Sequence, residues 1–143
     1  MIVVDTSVWS RALRRRPAGQ ADAAATILRA LIEAHEPVGL PGIVFQELLT
    51  GVRAPEQFER LLAALEPFPL LLAEREHHLL AAEIGNACRA AGVAASTPDL
   101  LIAATAVRLR GTLLTSDRDF VRIATCSSLK VRFVPDAVES TAE

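Results

Sequence analysis

The sequence predicts an α/β fold whose central, mainly parallel sheet is covered by helices on both faces. Short apolar segments rich in β-branched residues alternate with longer segments whose apolar residues recur at helical spacing. Prolines and glycines mark most of the boundaries between these segments. This alternation is typical of parallel strands connected by helices. The 143 residues contain no repeat and no linker, so we expect a single domain.

The first half of the chain contains two predicted strands and four predicted helices. In order, these are a strand at 2–4, a helix capped by Thr6 or Ser7 and ending near Arg14, a helix at 20–35, a strand at 37–41, a helix at 43–50 and a helix that begins at Pro55. The segment "IVV" at 2–4 is apolar on both sides, which indicates a buried strand. Gly51 is expected to end one helix, and Pro55 favours the first position of the next.

The second half follows the same pattern. We predict a strand at 69–73, a helix at 74–92, a helix from Thr97 to about 110, a strand at 112–115 and a strand at 130–134. Gly92 and Gly111 stand where helices commonly end. Thr97 is the expected N-cap of its helix, with Pro98 at the first helical position. The predicted domain spans 1–135, and the tail 136–143 is expected to be frayed.

Composition excludes several classes of protein. Hydrophobic residues make up 51% and charged residues 22%, which is ordinary for a soluble globular domain. Every apolar run is too short to cross a bilayer, and no basic segment precedes the first one, so we expect neither a membrane span nor a signal peptide. The two cysteines lack metal-binding spacing and are expected to be free thiols in the cytoplasm.

Basic residues are almost all arginine, although the net charge is −2. Lys130 is the only lysine. Arginine can bind phosphate with two parallel hydrogen bonds, but a GC-rich genome would produce the same bias. The charge balance by itself therefore does not indicate nucleic-acid binding.

Acidic residues fall at the ends of predicted strands and in unexpected places on helices. Asp5 follows the first strand, and Asp117 and Asp119 follow the strand at 112–115. In parallel sheets the carboxyl ends of the strands form the binding edge, so these acids are expected to meet. Glu47 lies in a mostly apolar helix and Asp99 in the first turn of another.

Each acid also has a purely structural interpretation. Asp5 could cap a helix. Asp99 could stand in the first turn of its helix because the helix dipole stabilises an acid there. Asp117 and Asp119 could shape a turn, and Glu47 could face solvent. Taken together, the positions of these acids are better explained by their convergence on one site. Close carboxylates repel one another and need either protonation or a cation. Oxygen ligands suit Mg²⁺ or Mn²⁺, and such ions can activate water and bind a phosphodiester.

Four motifs in order, "MIVVDTSVW", "FQELLTG", "TPDLLIAATAV" and "LLTSDRDF", resemble those of the PIN-domain ribonucleases, and most closely the VapC-type toxins of bacterial toxin–antitoxin pairs. The resemblance runs from Ile2 to about Val134. It implies a three-layer α/β/α fold and a metal-dependent endoribonuclease. It also implies catalytic acids that hold Mg²⁺ or Mn²⁺, namely Asp5, Glu47, Asp99 and Asp117. Asp119 would either bind the metal through water or only shape the turn.

The resemblance also implies supporting groups and partners. Thr6, Ser7 and Thr115 match hydroxyl residues that hold the acids in place. The substrate would be single-stranded or loop RNA, the protein a homodimer, and a cognate antitoxin would block the pocket.

The arginines near the acids are candidate RNA ligands. Arg118 and Arg122 flank the acidic motif, where they could bind phosphate. The run Arg14, Arg15 and Arg16 could line an RNA groove, meet an acidic partner or form a solvated loop.

Two other functions remain open. A phosphatase with Asp5 as nucleophile would usually have a second aspartate two residues on, where Ser7 stands, and a lysine near the acids. A catalytically inactive PIN-like binding module would have an acidic pocket without turnover. A signalling receiver would need paired acids just after the first strand, where Thr6 and Ser7 stand instead.

Overall fold

A computed structural model describes residues 1–136 as a five-stranded parallel sheet between two layers of helices. The strands are β1 Ile2–Val4, β2 Val38–Pro41, β3 Leu70–Leu71, β4 Thr112–Thr115 and β5 Lys130–Phe133. The helices are α1 Thr6–Leu13, α2 Ala23–Glu33, α3 Gly42–Leu49, α4 Pro55–Leu65, α5 Arg75–Ala90, α6 Thr97–Arg108 and α7 Arg118–Ala124. The tail predicted at 136–143 lies outside the described residues except for Asp136, so its boundary stays a prediction.

The strand order is β3-β2-β1-β4-β5, and every neighbouring pair is parallel. The predicted α/β class with a mainly parallel sheet is therefore confirmed. Helices α1 to α4 contact one another, as do α5 to α7. The chain moves toward β3 through the first group and back toward β5 through the second. Since parallel crossovers are right-handed, the two groups cover opposite faces of the sheet.

The centre of the sheet is formed by β1 and β4, which explains how distant acids can meet. Val3 pairs with Leu113 and Val4 with Leu114, and all four side chains are fully buried. The Asp5 N–H extends this pairing by donating to the Leu114 carbonyl at 3.2 Å. Both strands therefore end at the same edge.

Aromatic residues anchor the helices to this centre. Trp9 and Phe120 are among the largest fully buried side chains, and Trp9 packs edge-on against Phe68 with ring centroids 4.8 Å apart. No helix within residues 1–136 has both the length and the apolar character needed to cross a membrane.

Helix starts differ from prediction at two caps. Asp5, rather than Thr6 or Ser7, is the N-cap of α1, because its carboxylate accepts from the Val8 N–H. Ser96, rather than Thr97, is the N-cap of α6 and accepts from the Asp99 N–H at 3.3 Å. In both cases the helix starts earlier than predicted. The side-chain oxygen of the residue just before the helix then accepts from a free N–H group of the first turn.

Other boundaries shifted and one helix was missed. The predicted helix at 20–35 is the shorter α2, which begins after Asp22, and the predicted strand at 69–73 pairs only over β3. The seven-residue helix α7 was not predicted, because seven residues hold less than two full turns of apolar periodicity. Gly92 has φ +74°, as expected after a helix, whereas Gly111 is needed because a Cβ would lie 2.5 Å from the Met1 carbonyl oxygen.

Candidate metal centre

Asp5 lies at the base of the site with only 3% of its surface exposed. Its Oδ1 accepts a 2.6 Å hydrogen bond from the Ser7 hydroxyl and a 3.4 Å bond from the Val8 N–H. Its Oδ2 accepts from the Thr115 hydroxyl at 2.9 Å. Asp5 therefore both caps α1 and joins β1 to β4, so the structural and functional interpretations of this residue coexist.

Two hydroxyl groups link Asp5 to the loop after β4. Thr115 Oγ1 accepts from the Asp117 N–H at 2.9 Å, and Ser7 Oγ accepts from the Ser116 N–H at 2.9 Å. Each hydroxyl thus donates to Asp5 and accepts from the loop that carries Asp117. This network fixes the relative position of the two acids.

Asp99, Asp117 and Asp119 form a carboxylate cluster, with one oxygen from each lying within 4.8 Å of the others. Asp99 comes from the first turn of α6, and Asp117 is the N-cap of α7. Asp117 Oδ1 accepts from the Asp119 N–H at 2.9 Å, which holds these two acids side by side. The side chain of Asp119 is 50% exposed, so the cluster opens to solvent.

The protonation equilibria of Asp5 and Asp99 reflect this crowding. Burial and, to a smaller extent, the Asp117 carboxylate together raise the pKa of Asp5 to about 6, against the opposing effect of the three hydrogen bonds to Asp5. Burial also raises the pKa of Asp99, against a hydrogen bond with the Ser96 side chain. Repulsion from the carboxylates of Asp117, Asp119 and Glu47 adds to that rise. The site therefore lacks sufficient positive charge for its acids.

Glu47 acts on the site through its charge. It lies on α3, is exposed, and is outside the cluster of three, yet its charge contributes to the pKa of Asp99. Asp5 is also outside the 4.8 Å cluster, although its hydrogen bonds reach the same loop. Three carboxylates therefore form the cluster, and the carboxylates of Asp5 and Glu47 lie outside it.

The predicted supporting hydroxyls behave differently from one another. Ser7 and Thr115 make the bonds described above, whereas Thr6 Oγ1 is buried and has no hydrogen-bond partner within residues 1–136. Thr6 is the first residue of α1, and the capping bond at this helix comes from Asp5 instead.

The predicted RNA-binding arginines are divided between two places. Arg118 stacks on Phe133 with its guanidinium carbon 5.4 Å from the ring centroid, and it begins the helix beside the cluster. Arg122 Nη1 bonds Asp119 Oδ1 at 2.7 Å, so it partly neutralises one acid of the cluster.

Arg14, Arg15 and Arg16 lie at the far end of α1 from Asp5. Arg14 and Arg15 line a groove of about 540 Å³ together with Leu48 and Leu61. Arg16 Nη2 lies 3.3 Å from Asp22 Oδ1, so it takes part in an ion pair rather than facing the acids.

Arg11, which no sequence pattern singles out, connects the site to the rest of the chain. Its Nη1 donates to Ser116 Oγ at 2.7 Å and to the Pro135 carbonyl at 3.0 Å. Its Nη2 donates to Asp22 Oδ1 at 3.0 Å. Arg11 lies on α1 between the loop after β4 and the start of α2, a placement for which the sequence carries no signal.

These residues fit a divalent cation. Carboxylate oxygens are the ligands that Mg²⁺ and Mn²⁺ prefer, and a few carboxylates with an open side suit an ion that also retains water or binds phosphate. Burial and the neighbouring carboxylates raise the pKa of Asp99, which is the direction expected where acids crowd together and positive charge is scarce. A bound cation would supply that charge.

Comparisons with known proteins agree with this geometry. The PIN domain family model matches residues 2–125. The fold is similar to FitAcB from Neisseria gonorrhoeae, at 27% identity and TM-score 0.74 over 94% of this chain and 98% of that one. It is also similar to VapBC2 from Rickettsia felis, solved with a fragment of promoter DNA, at 21% identity and TM-score 0.77 over 94% of this chain and 99% of that one.

A third solved relative is VapBC-5 from Mycobacterium tuberculosis, a member of the VapBC family of toxin–antitoxin systems, at 20% identity and TM-score 0.66 over 92% of this chain and 97% of that one. No curated protein matches the sequence. The family match covers most of the chain and contains every acid of the site, so this chain belongs to the PIN domain family, as its motifs predicted.

Proposed function

We propose that this protein is an endoribonuclease that depends on Mg²⁺ or Mn²⁺ and acts as the toxin of a toxin–antitoxin pair. The observation that carries the proposal is the gathering of Asp99, Asp117 and Asp119 within 4.8 Å at the carboxyl edge of the sheet. Buried Asp5 is linked to the same loop through Thr115, which bonds both Asp5 and the Asp117 N–H. Family membership supports nuclease activity, and the solved relatives support the toxin assignment.

Each group has a distinct task in this proposal. A bound divalent ion would polarise the phosphodiester and favour an attacking water. Asp99, Asp117 and Asp119 would hold the ion, and the half-exposed Asp119 side chain would leave the cluster open to a chain-like substrate. Asp5 receives hydrogen bonds from Ser7 and Thr115, which keep the loop of Asp117 in place. Glu47 adds negative charge from α3.

RNA is the proposed substrate, bound as a single strand or in a loop. Arg118 is the best placed cation for its backbone, because it is exposed at the start of α7, one residue from Asp117. Its stacking on Phe133 fixes the guanidinium plane and leaves its donors available for phosphate. We further propose a cytoplasmic homodimer and a cognate antitoxin that blocks the acidic cluster.

The phosphatase alternative has little support. Lys130 is the first residue of β5 and pairs with Thr112, the first residue of β4. It therefore lies at the amino edge of the sheet, across the strands from Asp5, and cannot assist a nucleophile there. The inactive binding module remains the main alternative, and turnover distinguishes it.

The test is cleavage of a defined set of single-stranded and hairpin RNAs by antitoxin-free protein with Mn²⁺, with Mg²⁺ and with chelator. We expect cleavage with metal only. Asp5→Asn and Asp99→Asn should lose at least 100-fold in rate, on the order of one essential group in a metal site. Glu83→Gln, an exposed acid on α5, should cleave like the wild type. Mn²⁺ binding without any cleavage would identify a binding module and overturn the proposal.

A further inference from the structure

The only two cysteines of the chain, Cys88 and Cys126, lie against each other. Their Sγ atoms are 3.1 Å apart, although 37 residues separate them in sequence. Cys88 is on α5 and is 1% exposed, whereas Cys126 lies just after α7 and is partly exposed. A disulfide bond is about 1 Å shorter than this separation, so a small movement of the side chains would close it.

The backbones that carry both cysteines are firmly held. The Cys126 N–H donates to the Ile123 carbonyl at 3.1 Å, which fixes the turn after α7. The Cys88 carbonyl accepts from Val93 at 2.8 Å, where α5 ends. The contact therefore follows from the packing of two anchored segments and does not depend on a free loop.

The two thiols differ in their access to solvent. Burial and the neighbouring Cys126 sulfur together raise the pKa of Cys88 to about 11. Cys88 therefore remains a thiol at neutral pH and is shielded from reagents. Cys126 is the sulfur that a dissolved oxidant can reach.

We propose that Cys88 and Cys126 form a reversible intramolecular disulfide when the protein meets a peroxide. The Cys126 sulfur attacks the peroxide, the O–O bond breaks, and Cys126 becomes a sulfenic acid with release of one water. The Cys88 sulfur then attacks the Cys126 sulfur, and the departing hydroxide takes the Cys88 proton as a second water. In total, two thiols and one hydrogen peroxide give one disulfide and two waters. A dithiol reductant reverses the bridge.

The bridge would close a segment that holds the three gathered acids. Asp99, Asp117 and Asp119 all lie between positions 88 and 126. Linking the ends of that segment restricts the unfolded chain and resists separation of α7 from α5. Oxidation should therefore stabilise the frame of the metal centre, and this inference does not depend on RNA cleavage.

The experiment treats metal-free, full-length protein with hydrogen peroxide and follows intact mass, thiol titration after denaturation, and unfolding temperature. We expect the mass to fall by about 2 Da, both thiols to be lost, and the unfolding temperature to rise by roughly 5–10 °C. Dithiothreitol should restore all three values. Cys126→Ser, at a partly exposed position that tolerates the change, should show none of these effects, and Cys88→Ser should show none either.

Three results would overturn the proposal. One is a covalent dimer on a non-reducing gel that Cys126→Ser abolishes, since this would show pairing between chains. Another is a gain of two oxygens at Cys126 without loss of the Cys88 thiol. The third is two intact thiols after a peroxide dose that oxidises a free thiol peptide to completion.

Discussion

Thr115 and Asp5, 110 residues apart in sequence, are joined by a 2.9 Å hydrogen bond from Thr115 Oγ1 to Asp5 Oδ2 in the buried floor of the acidic site. The same Thr115 oxygen accepts from the Asp117 N–H at 2.9 Å. One hydroxyl thus connects the acid at the end of β1 to an acid that follows β4.

Replacing Thr115 by valine tests this connection. Thr115→Val keeps the shape of the side chain but leaves a buried carboxylate oxygen and an amide without a partner. We expect a loss of about 1–3 kcal/mol in the free energy of unfolding and weaker Mn²⁺ binding. Thr112→Val, at the other end of the same strand, should change stability by less than about 0.5 kcal/mol. Urea unfolding and calorimetric Mn²⁺ titration measure both, and equal effects from the two variants would contradict the assigned role.

Asp117→Asn should stabilise the metal-free protein while weakening its response to metal. Asparagine caps a helix about as well as aspartate, so α7 keeps its N-cap. Burial is the main cause of the raised pKa of both Asp5 and Asp99, and the substitution removes a charge that adds to each rise. We expect the metal-free unfolding temperature to rise by about 2–4 °C.

Added Mn²⁺ should then raise the unfolding temperature of the wild type much more than that of Asp117→Asn, because only a ligand that binds the folded state stabilises it. Glu83→Gln serves as the control acid, and it should respond to Mn²⁺ like the wild type. A Mn²⁺ response that is undiminished in Asp117→Asn would remove Asp117 from the proposed ligands.

Arg11→Met should destabilise the fold because the buried Asp22 carboxylate and the Ser116 hydroxyl both lose the guanidinium that donates to them. Arg16 and two backbone amides still contact Asp22, so we expect a loss of about 2–3 kcal/mol. Arg89→Met, at an exposed position on α5, should cost less than about 0.5 kcal/mol. Chemical unfolding of the two variants gives the comparison, and Arg11→Lys should recover part of the loss.

Acid should remove the contribution of Asp22 to stability. Burial by itself would raise the pKa of Asp22, but hydrogen bonds from Arg11 and the Ala25 N–H, with the charges of Arg11 and Arg16, outweigh it and lower the pKa. A lowered pKa in the folded state stabilises the protein above the ordinary pKa of aspartate, and this stabilisation disappears as the pH falls through the lower folded value.

Asp22→Asn should therefore be less stable than the wild type at neutral pH, and the gap should narrow as the pH falls toward about 3. Urea unfolding across this range measures the gap. A gap that stays constant with pH would mean that the charge of Asp22 contributes nothing.

Arg118→Gln should weaken RNA binding and reduce its dependence on salt. Losing one phosphate contact on a single strand lowers the slope of log K against log salt by about 0.7. Arg108→Gln is the matched control, because Arg108 is exposed at the opposite end of α6 from Asp99. Binding to a non-cleaved RNA analogue at several salt concentrations would show the difference, and identical slopes would exclude Arg118 from the interface.

Local sequence patterns were sufficient for the strands and most helices. The segment at 2–4 and the segment at 112–115 were identified from short apolar runs, and α6 from its Pro98 and its apolar periodicity. The caps were less predictable, because Asp5, Thr6 and Ser7 each carry a side-chain oxygen that could accept the capping hydrogen bond. Only the path of the chain decided among them. Helix α7 was not predicted, because its seven residues are too few to show a helical pattern of apolar residues.

The sequence by itself determined the parallel α/β fold and the placing of Asp5 and Asp117 at one edge, because hydrophobic periodicity fixes which segments are buried and parallel strands end together. Only the tertiary structure decided that Asp119 joins Asp99 and Asp117 while Glu47 stays at the margin, and that Arg11 braces the site. Distances between side chains depend on how helices pack across the sheet, and contacts between residues far apart in sequence leave no local pattern to read.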